Sequence, residues 1–411
     1  MGPAMSPCDL AIICLPGSLY DFVPWTNRQH IMTRLARTCP VLYVEPPRYP
    51  WKQLAKAMLG LRREQQARRW FRRILSPEHR ENHLYILALL QYLPTYRRAW
   101  RQFNYRLNLP RLRRIVAGWG FQGAVLWIYT PDAVALAGRL GERLLCYDCV
   151  DEYAEQPYYQ DNFAEIRQDE AELLAKADVV FTTARNLYQR KRQANPNTYL
   201  TPNVGDYDHF VRAMAQETPI PLDIASLPQP VIGFVGAVDG YKVDLDLLER
   251  LAAWHAEWSI VLIGPSSLAE RETDLTRLTR KGNIHLLGPR PYQSLPGYIK
   301  AFAACIIPYR INAYTQNCFP IKFFEFLASG KPVVVSNLPE LEPYRHLVRM
   351  ADSPETFGRA LEEVLVGDTE EARQARLAEA RRNTWEAKVA RQLEIVAAAL
   401  ANRLYINRPP A

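Results

Sequence analysis

What the chain lacks narrows it first. No apolar run approaches the roughly 20 residues that a helix needs to cross a bilayer, although 48% of the 411 residues are hydrophobic. The N-terminus shows no basic region followed by a long apolar core, so no signal peptide is expected. Cysteine is scarce, with seven scattered residues, an odd number that suits free thiols in a reducing cytoplasm. Cys146-x-x-Cys149 has no second Cys or His pair and lies in a strand-like run, so it reads as packing. No internal repeat or low-complexity tract is present. Acidic residues are nearly missing from one region. Between Arg48 and Arg114 stand 17 Lys/Arg against Glu64, Glu78 and Glu81, a local balance of +14 in a chain of net +8, which leaves the remainder near −6.

What is present is alternation. Runs at 10–15, 41–44, 124–129, 144–149 and 178–184 are short and apolar, as buried parallel strands are. A second series begins at 231–236 and continues at 259–263, 283–288, 303–308 and 333–335, with helical spacing between, and 336–340 is expected to close its sheet. Residues 370–404 read as helical with a bend at Trp385, and Pro219–Pro230, with four prolines, reads as a linker. The expectation is an α/β chain of two Rossmann-like domains with parallel sheets facing a cleft. The domains are 1–218 and 231–385, joined by 219–230 and followed by a terminal helix over 386–411. Gly233-x-x-Gly236 is shorter than a dinucleotide fingerprint, which needs a further glycine. Asp244-x-Asp246 reads as a helix cap, and no metal site is expected.

The basic region mixes arginine with Trp51, Leu54, Trp70, Phe71, Tyr96, Trp100 and Phe103. Such segments suit an anionic membrane surface. A solvated helical face is the plainer reading. Nucleic acid is not expected as a partner, because no RRM, KH, finger or helix-turn-helix signature accompanies the charge.

The most informative stretch is Asn317 to Pro332. Pro320 suits a helix start, while Gly330 and Pro332 suit its stop. Lys322 and Glu325, three apart, share a face near the N-terminus. Free N–H groups with a lysine suit a phosphate, and a carboxylate one turn on suits sugar hydroxyls. Diphosphate beside ribose is the chemistry of a nucleotide-sugar.

The string Pro320-x-Lys322-x-x-Glu325-Phe326-Leu327-Ala328-Ser329-Gly330-Lys331-Pro332 resembles the donor-site helix of GT-B glycosyltransferases of the family-4 type. Trp25-x-x-Arg28-Gln29-His30, Pro40 to Pro47, and Tyr147-Asp148-x-Val150-Asp151-Glu152-Tyr153 resemble the teichuronic-acid and exopolysaccharide branch of those enzymes. Pro202-Asn203-Val204-Gly205-Asp206 resembles the segment leading to the interdomain linker, with its Val-Gly order inverted. The resemblance covers most of the chain, densely from Val231 to Glu340.

It implies a metal-independent glycosyltransferase that needs no cofactor. Glu325 would hold the nucleotide ribose, and Lys322, with Lys242, would stabilise the leaving diphosphate. The backbone at Gly236 and Gly288 would meet phosphate and nucleobase, with Arg290 and Tyr292 adding stacking. Thr315, Asn317 and Pro320 would border the sugar and phosphate, although the family has an acid where Asn317 stands. On the acceptor side the resemblance points to Arg28 and His30, though a lone histidine on such a helix is more often structural. Asp151 would be the general base, or else a turn or cap aspartate. The donor would be a UDP- or GDP-sugar and the acceptor a lipid-linked or other oligosaccharide, handled from the cytoplasm at the inner membrane face. The terminal helix would return to the first domain. Asn317 keeps open a catalytically inactive GT-B scaffold, and a nucleotide-sugar epimerase is a further alternative.

Overall fold

The computed structural model describes residues 10–22, 25–57, 61–156, 162–266 and 273–406. It divides into two compact units. The first runs to Thr201, apart from 156–158, and resumes at Val389, while the second runs from Pro202 to Lys388.

The first unit is built on a sheet of eight strands: β1 (Ile12–Leu15), β2 (Val41–Val44), β3 (Glu78–His79), β4 (Leu84–Leu87), β5 (Val125–Ile128), β6 (Leu144–Cys149), β7 (Val179–Thr182) and β8 (Thr198–Leu200). Their order is β3-β4-β2-β1-β5-β6-β7-β8, parallel throughout except for β3 against β4. The second unit has β9 (Val231–Val235), β10 (Ser259–Ile263), β11 (Ile284–Gly288), β12 (Ala304–Ile307), β13 (Val333–Ser336) and β14 (Arg349–Ala351). They run parallel in the order β11-β10-β9-β12-β13-β14. Every residue of β1, β2, β5, β6, β9, β10, β12 and β13 is buried, which explains their unbroken apolar runs.

Several boundaries differ from expectation. The first unit ends before Pro202, not at 218, and 219–230 is part of the second unit rather than a linker. Ile224 is buried in its core. Ser259 donates its N–H to the Pro230 carbonyl at 3.0 Å and its hydroxyl to the Pro228 carbonyl at 2.7 Å. β14, not 336–340, closes the second sheet, because Pro339 opens a 3₁₀ helix over Pro339–Tyr344. The terminal helical region breaks at Asn383, and Trp385–Ile406 follows. From Val389 that last helix belongs to the first unit. There Gln392 donates to buried Asp148 at 3.3 Å, and Arg403 pairs with Asp178 at 3.1 Å.

The basic region is partly turned inward. Arg73, 4% exposed, bonds Asp21, Glu45 and Glu78 at 2.7–2.8 Å, and Trp70 is 3% exposed. Arg98 and Arg101 are tied to Asp169. These residues fasten the helices Leu61–Leu75 and Arg98–Gly118 to their own unit. What remains outward is an aromatic–cation group: the Trp51 ring meets Tyr49 at 4.3 Å, tilted by 37°, Lys52 lies over Tyr49 at 4.8 Å, and Tyr96 meets Trp100 at 4.7 Å. Trp51 and Tyr96 are each 55% exposed. Among the described residues no helix is long and apolar enough to cross a membrane.

Candidate active site

In the second unit the carboxyl ends of β9, β10 and β11 form a backbone ledge. Gly236 N–H donates to the Ile263 carbonyl at 2.9 Å, and Gly264 N–H to the Gly288 carbonyl at 3.0 Å. A Cβ on Gly264 (φ +148°) would stand 1.9 Å from the Gly236 carbonyl oxygen, so the two turns touch only because Gly264 lacks a side chain. Gly233 has a different reason, since the ring of Phe302 fills its place within the core. Asp244 caps the helix Leu245–Trp254 by accepting from Asp246 N–H and Leu247 N–H, each at 3.1 Å. Asp246 pairs with Arg310 and Arg277. The loop after β9 is laced to the loop after β12 through Arg310 N–H to the Lys242 carbonyl (2.8 Å) and the Asn312 amide to the Tyr241 carbonyl (2.7 Å). The Lys242 ammonium lies over the Tyr309 ring at 5.4 Å.

The helix Lys322–Ala328 follows from that lacing. Pro320 is buried just ahead of it, and Gly330 (φ +73°) ends it in the left-handed conformation that L side chains resist. Glu325 is 1% exposed, and Lys322 donates to it at 2.5 Å. Burial pushes the Glu325 carboxyl up, Lys322 pulls it down, and Asp206 adds a further upward push. With only seven residues the helix has little dipole to offer, so Lys322 is the cationic element of this corner.

Other expected donor residues divide. Thr315 is buried and donates its hydroxyl to the Arg310 carbonyl at 2.5 Å, shaping the loop rather than facing outward. The Asn317 amide donates to the Ala313 carbonyl at 2.6 Å. Arg290 is held by Asp223 (2.7 Å) and Tyr298 (2.8 Å), so its fork is already occupied. Tyr292 stacks on His209 at 4.3 Å with the rings 10° apart, which takes one face of the tyrosine.

That stack exposes what sequence reading missed. The segment 203–210 crosses the start of the donor-type helix. Asn203 donates to the Phe319 carbonyl at 2.6 Å, and Lys322 lies over the Phe210 ring at 5.7 Å. Tyr292 donates its hydroxyl to Asp206 at 3.3 Å, and the His209 ring nitrogen contacts the Tyr292 carbonyl at 2.9 Å. The signal for Asp206 was the 202–206 string itself, which read only as a route into a linker.

In the first unit, two of the acceptor-side candidates come together. Arg28 donates to the Tyr153 hydroxyl at 2.9 Å and lies over the Tyr129 ring at 5.7 Å. Burial alone would pull the guanidinium pKa down, but Tyr153 and Asp151 outweigh it and hold it protonated. Of the three carboxylates at 148–152, Asp148 is buried and takes the Trp127 indole N–H at 3.2 Å. Glu152 is bound by Arg190 and Lys191. Asp151 is the one in the electrostatic neighbourhood of Arg28. His30 is buried, 3.4 Å from Arg34 and edge-on to Trp25, a packing position rather than an acceptor contact.

Residues 229–367 match the family model described as Glycosyl transferases group 1, and the chain has the GT-B fold. Among individual relatives, 254 residues are 26% identical to TuaH of Bacillus subtilis (strain 168), provisionally named a teichuronic acid biosynthesis glycosyltransferase. The match spans 58% of this chain and 63% of TuaH, less than two thirds of that protein. Sucrose-phosphate synthase from Thermosynechococcus elongatus superposes with a TM-score of 0.65 at 16% identity, over 95% of this chain and 99% of its own. Anabaena HepE in complex with UDP and glucose gives 0.63 at 14% identity, over 94% and 99%.

Proposed function

We propose that this protein is a glycosyltransferase of cell-surface polysaccharide synthesis. It moves a sugar from a UDP- or GDP-linked donor to a saccharide acceptor carried on a lipid. One observation carries the reading: half-buried Lys322, paired with buried Glu325, opens the helix that follows β12, inside residues 229–367. Glu325 binds the ribose hydroxyls, and Lys322, with the backbone ledge at Gly236 and Gly288, meets the diphosphate. These groups stabilise charge on the leaving diphosphate without a metal ion. Asp151 takes the acceptor hydroxyl proton, with Arg28 fixing its surroundings.

The acceptor reading draws on the outward aromatic–cation group of Tyr49, Trp51, Lys52, Tyr96 and Trp100, whose composition suits the headgroup level of an anionic membrane. The protein then works at the cytoplasmic face of the inner membrane without crossing it. HepE and TuaH support a nucleotide-sugar donor and a polysaccharide product by what their descriptions say of them.

The test is release of nucleoside diphosphate from a panel of UDP- and GDP-sugars, with membrane extract as acceptor source and EDTA present. Extract-dependent release from one of them supports the reading. Release that appears only when divalent metal is restored removes the metal-independent part. A second reading, a scaffold without turnover, draws on the Asn317 amide being committed to Ala313. Tight nucleotide binding with no release from any donor is its signature.

A further inference from the structure

The segment that leaves β6 carries Asp151, and it is fastened on both sides of that residue. Ahead of Asp151, the Thr183 hydroxyl donates to the Val150 carbonyl at 2.8 Å. The Cys149 thiol lies 3.5 Å from the Asp151 carbonyl and 3.6 Å from a Glu170 carboxylate oxygen. Beyond Asp151, the Glu152 carboxylate is engaged by Lys191 at 3.5 Å and by Arg190. Its carbonyl accepts the Glu155 N–H at 3.0 Å, which starts the 3₁₀ turn Tyr153–Glu155.

Lys191 is the hub of this arrangement. It stands on the helix Arg185–Ala194 and donates to Glu170, on the helix Phe163–Lys176, at 2.7 Å. Tyr147, within β6, donates its hydroxyl to the same Glu170 at 2.7 Å. Lys191, Glu152 and Glu170 are 6–7% exposed, and Tyr147 and Cys149 are fully buried. One ammonium thus joins the Asp151 segment, through Glu152, to a helix that β6 also grips through Tyr147.

A buried ionic group is a poor route to stability, because apolar residues of similar volume do as well or better. What this one supplies is a single geometry. Without the ammonium two buried carboxylates face each other, and Glu152 is driven towards solvent with Asp151 beside it. A general base works only within hydrogen-bond reach of the proton it takes. We propose that Lys191 is a positioning residue for Asp151: through Glu152 and Glu170 it fixes the segment after β6, so that the Asp151 carboxylate stands where an acceptor hydroxyl gives up its proton. This inference rests on the base role given to Asp151 above.

The experiment measures nucleoside diphosphate release from the donor that the panel of UDP- and GDP-sugars identifies, with membrane extract as acceptor source. The parent, K191M and E152Q are compared, each with and without D151N, and circular dichroism establishes which variants are folded. E152Q keeps the Lys191–Glu170 pair, so it carries the test alone if K191M does not fold. Both changes lower kcat by about tenfold or more, as a base misplaced by about 1 Å would. Nucleotide-sugar affinity in calorimetry stays at the parent's value. In the D151N background neither change costs more than about twofold further, because the group they position is gone. Equal losses with and without Asp151 overturn the proposal and leave the base reading standing, as does a folded E152Q with the parent's kcat. D151N with the parent's turnover removes the base reading and this proposal with it. Release from no donor removes the glycosyltransferase reading and this proposal together.

Discussion

Replacing Lys322 with methionine tests the charge logic of the donor corner. Methionine keeps the stem that packs over Phe210 and removes only the ammonium. Glu325 is then a carboxylate at 1% exposure without the cation that lay 2.5 Å away. Breaking one side of a buried pair costs about 3–5 kcal/mol. For a unit of this size that lowers its unfolding midpoint by about 6–20 °C. The pH dependence gives the sharper readout. Burial already raises Glu325 in the native protein, so its contribution is fully present below the unfolded carboxylate pKa and is lost as pH rises through the folded one. Losing Lys322 raises the folded value further. The variant's deficit therefore grows with pH, by up to about 2.7 kcal/mol between pH 5.5 and 7.5 if one proton is involved. Urea unfolding followed by circular dichroism at both pH values measures it. Adding Glu325→Gln to Lys322→Met recovers most of the loss, because a buried amide carries no charge to strand. An equal loss at both pH values, or a double variant as unstable as the single one, refutes the reasoning.

Two further predictions follow from the first unit. Asp151→Asn lowers turnover about a hundredfold or more while nucleotide affinity in calorimetry stays unchanged. A parallel loss of affinity would argue against the base role. Trp51→Ser with Tyr96→Ser reduces co-sedimentation with anionic liposomes several-fold without altering the melting temperature, since both side chains are half exposed. Sedimentation equal to the parent's removes this group as the membrane-facing one.

What could be read ahead of the structure was whatever is local. The Asp244 cap, the Gly330 stop and the Lys322–Glu325 spacing are each set by neighbours within four residues, and all three stand in the structure. The buried strands were legible because both their faces are covered, so no polar alternation interrupts them. The two-residue β3 was too short to show, and β14, which opens on an exposed arginine, carries no apolar run. Composition could not say which side of a basic helix turns inward. Trp70 and Arg73 read as membrane-facing, yet Asp21, Glu45 and Glu78 draw Arg73 into the unit from far along the chain. Likewise Arg290 looked available until Asp223 and Tyr298 were found against it. Asp206 was missed because its partner Tyr292 stands 86 residues further along the chain. Pair spacing along a chain is visible in sequence, whereas pairing across a fold is not.

The account turns on nucleotide recognition at Glu325. The most direct measurement is calorimetric titration of the parent protein and of Glu325→Ala with UDP and GDP, in EDTA, with circular dichroism confirming that both are folded. The account predicts saturable binding of one diphosphate by the parent and affinity at least about tenfold weaker in the variant, since hydrogen bonds to a charged group are worth about 1.5–3 kcal/mol. Equal affinity in the two proteins would contradict it.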